Sequence, residues 1–149
     1  RLGGFSAQGV AVAGDDEEAA RWSRLAAMQG DPPAQHNLGG MYYTGHGVPQ
    51  DDGLAAQWFG LAAAQGHKPA QFDLGTLYAE GQGVARDPVQ ALKWATLAAT
   101  PPGDLEIAAR ASKFRAELMA RMSPEEIAEA ERLAAAFRPS PGGPPRPGS

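Results

Sequence analysis

Three histidines, an acidic run and scattered serines are the side chains of this sequence that chemistry could use. "YYTGHGVPQD", residues 42–51, has the look of a ligand loop, with Gly45 and Gly47 flanking His46 and Asp51 closing the stretch. Residues 78–87, "YAEGQGVARD", keep the tyrosine, both glycines, the valine and the aspartate, but carry Gln82 in place of the histidine. What recurs is the bend and not the imidazole, so His46 reads as an exposed connector residue. A metal site needs clustered donors, and His36, His46 and His67 stand at no ligand spacing. "DDEE" at 15–18 resembles a metal-binding run, yet acids in the first turn of a helix are already explained by the helix dipole. Acyl-enzyme chemistry of the Ser-x-x-Lys type fares no better. Ser6, Ser23, Ser112, Ser123 and Ser140 all lack a lysine three residues on, and no Lys-Thr-Gly occurs. No nucleophile–base pair can be assembled, so the expectation is no catalytic residue, no metal and no cofactor.

Composition narrows the remaining classes. The chain has 149 residues, 13 basic against 17 acidic side chains, and a formal charge of −4. A phosphate-backbone binder would concentrate Lys and Arg on one face, so nucleic acid is not an expected partner. The absence of cysteine excludes disulfides and thiolate metal sites. Apolar runs such as "LAAA" at 61–64 fall far short of the ~20 residues a membrane helix needs, so no membrane insertion is expected of this segment. The chain opens on Arg1 with no signal-like segment, and reads as a fragment or processed form whose address is not legible.

A single period organises the rest. Trp22, Trp58 and Trp94 recur every 36 residues, and aligning 15–50 with 51–86 gives 19 identities in 36 positions without a gap. Residues 1–14 match the end of such a unit, with Leu2, Gly3, Gly4, Gly9 and Val12 on the counterparts of Leu38, Gly39, Gly40, Gly45 and Val48. The units are therefore a partial repeat at 1–14, repeats at 15–50 and 51–86, and the start of a degenerate third at 87–103. Each reads as two helices. Asp15 with Glu18 is expected to cap the first as a capping box, and Asp87-Pro88 with Gln90 repeats the device. Ala19, Trp22, Leu25 and Ala26 form an apolar stripe at helical spacing, making Trp22 and Trp58 expected stacking core. Gly30 and Gly66 end the first helices, and Gly45 and Gly81 the second. Gly39 and Gly75 sit inside second helices, at a cost of ~1 kcal/mol each, which points to a close crossing of the two helices of a unit.

Two further helices are expected at 104–138. "DLEIAARASKFRAELMARM" carries Ile107, Ala111, Phe114, Leu118 and Met122 on one face, with Glu106/Arg110 and Glu117/Arg121 as exposed pairs. "SPEEIAEAERLAAAF" starts with Ser123, Pro124 and Glu126, a complete capping box, and has the stripe Ile127, Ala130, Ala134 and Phe137. They read as a cap on a stacked array. The tail at 139–149 is too polar and Pro/Gly-rich for a core and is expected to be disordered. Its prolines could offer an extended ligand to an aromatic groove, but its composition reads first as a linker or terminus. Leu2 and Phe5 must pack under Trp22 or fray.

The pattern "AAxWxxLAAxQGxxxAQxxLGxxYxxGxGVxxD", carried by 15–51 and 51–87, resembles the Sel-one-like repeat, a relative of the tetratricopeptide repeat, over about residues 1–100. The resemblance implies an all-α fold: a right-handed α/α superhelix, or solenoid, of tetratricopeptide-like helix pairs with a C-terminal helical cap and about seven helices. It also implies a bacterial, non-catalytic protein–protein interaction scaffold, in signalling or envelope-associated assemblies, either cytoplasmic or periplasmic. A β-lactam-hydrolase-like enzyme and a passive structural spacer are the alternatives. Pro101-Pro102 replaces the expected Gln-Gly, so the third unit is a remnant.

In related superhelices the variable face of the first helices lines a concave groove. Here that face is Glu17, Ala20, Arg21, Arg24 and Met28, then Gly53, Ala56, Gln57, Gly60 and Ala64, then Val89, Leu92, Lys93, Thr96 and Thr100. The expected partner is another protein's extended, acidic segment. It would lie on the small floor Gly53, Ala56 and Gly60, oriented by Arg21, Arg24 and Lys93. Gln57 and Thr96 would hydrogen-bond it, and Phe59 and Leu92 would supply apolar contact.

Overall fold

In the computed structural model, residues 13–140 are described. They hold seven α-helices and no strand: α1 (Ala13–Met28), α2 (Pro32–Thr44), α3 (Asp52–Ala64), α4 (Lys68–Glu80), α5 (Pro88–Ala99), α6 (Leu105–Met119) and α7 (Pro124–Ala136). Helices α1 to α6 pack each on the next, most extensively α2 on α3 and α4 on α5. The result is a solenoid-like stack of antiparallel pairs.

Local chemistry accounts for the helix ends. Asp31, Asp51, Asp87 and Asp104 each accept a first-turn backbone N–H, and Ser123 with Glu126 forms the reciprocal box. Gly45 and Gly81 close α2 and α4 in the left-handed region. The bend then needs a second glycine for want of space. A Cβ on Gly47 would lie 2.3 Å from the Asp16 carbonyl oxygen, and one on Gly83 would lie 2.2 Å from that of Asp52. The recurring Gly-x-Gly thus seats each connector on the first turn of the helix two elements back.

Three expectations about α1 and the glycines are corrected. Helix α1 begins at Ala13, so Asp15 lies inside its first turn and not at its cap. The other connectors contain Pro49 or run into Pro88, which hold the preceding residue extended, whereas "VAVAGD" contains no proline to stop the helix growing backward. The buried face of α1 is Ala20 and Ala27, while Trp22 and Leu25 are 64% and 56% exposed. Trp58 is partly buried against the core and Trp94 is 7% exposed. These later tryptophans follow the second helix of a preceding unit; none precedes α1 among the described residues, and Leu2 and Phe5 lie outside them. Finally, Gly39 faces Phe59 and the Ala55 carbonyl of α3, and Gly75 faces Ala91 and Trp94 of α5. The close crossing joins one unit to the next, not the two helices within a unit.

The C-terminal helices leave the zigzag. Helix α7 packs on α5, across from α6. The Phe137 ring meets Trp94 edge-on at 5.7 Å, Pro139 lies over Gly66, and the Ser140 N–H donates to the Ala64 carbonyl at 2.7 Å. Pro139 and Ser140 thus lie against the C-terminal end of α3; residues 141–149, the rest of the tail expected to be disordered, lie outside the described part. On α6, the Arg110 guanidinium lies over the Phe72 ring at 4.9 Å, where an exposed pair with Glu106 was expected.

Candidate functional site

Two clefts open between successive first helices. Gly53, Ala56, Gln57 and Gly60 recur at helical spacing along α3; all four line one cleft and the last three line both. On one side they join Leu74, Tyr78, Val84, Gln90 and Trp94 in a cleft of ≈ 470 Å³ towards α5. On the other, Ala56, Gln57 and Gly60 join Arg24, Met28, Tyr42, Trp58 and Leu61 in a cleft of ≈ 670 Å³ towards α1. A Cβ at Gly60 would meet nothing within 4 Å. A peptide backbone can therefore approach this floor closely.

The expected groove residues do not share one surface. Gly53, Ala56, Gln57, Gly60 and Arg24 are brought together. Arg24 donates from Nη2 to the Tyr42 hydroxyl at 2.8 Å, which fixes the guanidinium at the rim. Arg21 lines the outer side of α1 beside Glu18 and Trp22. Lys93 is half-buried with Nζ 4.4 Å above the Trp94 ring, and burial pushes its pKa down. Phe59, 4% exposed, and Leu92, fully buried, belong to the core and have no surface to offer a ligand. Their places are one step round the helix from Gly60 and Lys93, inside the arc that packs. Thr96 is likewise engaged: its hydroxyl accepts from Arg115 Nε of α6 at 3.0 Å, and Arg115 also pairs with Glu131 of α7 at 2.9 Å.

The aromatic walls were the part missed. Trp58 was expected as stacking core, and Tyr42, Tyr78 and Trp94 only as recurring positions, yet each borders a cleft. Invariance between units was the signal, read only as packing.

The histidines also differ from expectation. His36 and His67 lie with ring centroids 5.3 Å apart, and His36 Nε2 meets Asp73 Oδ2 at 2.7 Å. The stack brings together what the sequence separates, because α2 and α4 are neighbours one repeat apart. Burial lowers the His67 pKa; His36 lowers it further, against the raising influence of Asp31 and Asp73. Among the described residues no group of three or more His, Asp or Glu is placed to hold a metal ion. Among the described residues the His46 ring bonds only the Thr44 hydroxyl, two residues back, at 2.9 Å. No described helix is long and apolar enough to cross a membrane.

Comparison with known proteins places this architecture. The Sel1 repeat model matches residues 1–31, 32–67 and 68–100. Among solved structures, a protective antigen of uropathogenic Escherichia coli with an SLR fold is 33% identical, with a TM-score of 0.79 over 86% of this chain and 27% of that one. A Sel1 repeat protein from Oxalobacter formigenes is 40% identical, with a TM-score of 0.53 over 54% of this chain and 61% of that one. This chain thus spans about a quarter of the first structure's length. No curated protein matches it. Proteins of this kind are typically non-catalytic interaction scaffolds. Since the matched units cover two-thirds of the sequence and their helix pairs stack as in these neighbours, the chain belongs to the Sel1 repeat family.

Proposed function

We propose that the chain is a non-catalytic scaffold that grips an extended, acidic segment of a partner protein along α3. The observation that carries this reading is the open floor at Gly60, set between aromatic walls with Arg24 on one rim; Lys93, over the Trp94 ring, is taken as the second cation. Small residues let the partner backbone sit low, and the partly buried Trp58 and Tyr78 offer the apolar contact. Exposed ion pairs contribute only ~0–1 kcal/mol each, so the two cations set orientation more than affinity.

The test is the double variant Arg24→Glu with Lys93→Glu. It should abolish capture of the partner, and of a short synthetic Asp/Glu-rich peptide, while circular dichroism shows the helices intact. A modest fall in melting temperature follows from the lost Arg24–Tyr42 bond and Lys93–Trp94 contact. Binding at wild-type affinity would move the partner to another face. A chain that captures nothing in either form would be a spacer.

A further inference from the structure

The stack brings three differences between the first two repeats to one place. Asp31 caps α2 by accepting the Ala34 N–H at 3.0 Å, but its counterpart one period on is His67, which caps α4 with no side-chain bond. His36 stands where the next unit has Phe72, and Asp73 where the previous one has Asn37. His36 reaches from α2 to both of the others. Its Nε2–H donates to Asp73 Oδ2 of α4 at 2.7 Å, since a carboxylate can only accept. Its ring lies 5.3 Å from that of His67 and 5.4 Å from that of Phe59.

Helices α2 and α4 each pack on α3, and these side chains are among the direct links between them. A proton on His36 is met by the Asp73 carboxylate. A proton on His67 is opposed by burial first and by the His36 ring second. The positive end of the α4 dipole, where His67 is the N-cap, opposes it further. The other charged groups facing His67 are Asp31, at the start of α2, and Asp73, and they offset burial and His36 only in part. The neighbouring Lys68 ammonium is turned to the Leu97 carbonyl at 2.7 Å, and α3 presents the uncharged Phe59 ring to His36.

We propose that the His36–His67 contact is a proton-operated joint between the first two repeats, closed while His67 is neutral and opened when it is protonated. The His67 ring is only partly buried, so its imidazolium escapes these penalties by swinging out to water. His36 then loses the ring packed beside it, and α2 and α4 part at this end. The mutual set of the two units changes while each helix stays whole. The closed state is fully present above pH ~6.5 and is lost as pH falls through the lowered His67 value.

The chain has no cysteine, so Gly40→Cys with Thr76→Cys, equivalent positions on α2 and α4, takes two nitroxide labels. A Cβ at Gly40 meets nothing within 4 Å. Between pH ~7.5 and ~5 the distance between the labels should lengthen by about 1–2 Å or more, and its distribution should broaden, while the helical circular dichroism is unchanged. The midpoint should coincide with that of the His67 ring proton followed by NMR and lie below ~6.5. In His67→Asn the distance should not move with pH. His36→Gln keeps a donor for Asp73 but removes the opposing imidazole, so the His67 midpoint should rise. A distance that stays fixed in the labelled chain, or moves equally in His67→Asn, overturns the proposal. So does a change that accompanies loss of the helical signal, which is global acid unfolding, or a His67 midpoint that His36→Gln leaves in place.

Discussion

Gln71 Nε2 donates to the Ala63 carbonyl at 3.1 Å, but its Oε1 is buried with no hydrogen-bond partner among the described residues. One repeat earlier Gln35 makes the same clamp on Ala27 at 3.2 Å, and its Oε1 accepts from Gln65 at 2.8 Å. The residue one period after Gln65 is Pro101, which has no donor to give. Degeneration of the third unit is thus felt inside the second. A buried acceptor without a partner costs about 1–3 kcal/mol, whereas a made bond contributes about 0.5–1.5 kcal/mol. Gln71→Leu removes a bond and an orphan together; Gln35→Leu removes two bonds. Gln35→Leu should therefore lower the urea midpoint clearly more than Gln71→Leu. The reverse order would show that the orphaned oxygen is of no consequence.

Glycine inside a helix is the next place where two effects compete. Alanine at 39 or 75 gains about 1 kcal/mol of helix propensity. At Gly39 the new Cβ would lie 2.7 Å from Phe59 Cδ1, a ring edge buried in the core. At Gly75 the nearest atoms are the Ala91 carbonyl at 3.2 Å and Trp94 Cβ at 3.4 Å, which a small shift accommodates. Overpacking of a core costs about 1–3 kcal/mol, so Gly39→Ala should be net destabilising and Gly75→Ala close to neutral. Thermal melts of the two variants decide it, and equal shifts would show that the Phe59 ring moves freely.

What the sequence made legible was local. A cap is a contact within three residues, so Asp51 onto the Leu54 N–H and Ser123 with Glu126 could be read directly. The period carried the fold class, because equivalent residues in adjoining units must meet equivalent neighbours. The cleft floor at Gly53, Ala56, Gln57 and Gly60 was inferred from variation between units. Phe59 and Leu92 were misplaced, since helical spacing resolves a face only to about 100° and the packed arc begins one residue on. Nothing local told that α7 turns back onto α5 or that Ser140 reaches Ala64, because those contacts lie outside the repeat. His36 and Asp73 meet across a whole period, a distance at which single-chain spacing rules are silent.

The three equivalent tryptophans form a graded series. Trp94 is 7% exposed, Trp58 is partly buried, and Trp22 is 64% exposed. Large-to-small core changes cost about 3–5 kcal/mol, and surface substitutions stay within about 0.5 kcal/mol. Trp94→Ala should fall in the first range, Trp22→Ala in the second, and Trp58→Ala between them. Chemical denaturation followed by circular dichroism gives the order. A cost for Trp22→Ala as large as for Trp94→Ala would mean that α1 is covered in solution by chain outside residues 13–140.

His67 supplies a pH dependence whose sign is set by its surroundings. Its ring sits at the N-cap of α4 without a side-chain capping bond, 5.3 Å from the ring of His36. Burial disfavours the imidazolium first, proximity to His36 second, while Asp31 and Asp73 only partly offset them. The folded pKa therefore lies below the unfolded value of about 6.5, and the unfolded chain binds the proton more tightly. Stability from this group is fully present above pH ~6.5 and is lost as pH falls through the lowered folded pKa. Measuring between pH ~7.5 and ~5 keeps most carboxylates ionised, so their titration intrudes little. His67→Asn removes the titration and adds a side chain that can accept the first-turn N–H of Ala70, a substitution favoured at N-caps. The wild type should lose stability across that window more steeply than His67→Asn, and the gap between the two should widen towards the acid end. Parallel curves would mean that His67 stays equally easy to protonate in both states, and that the aspartates fully offset burial and His36.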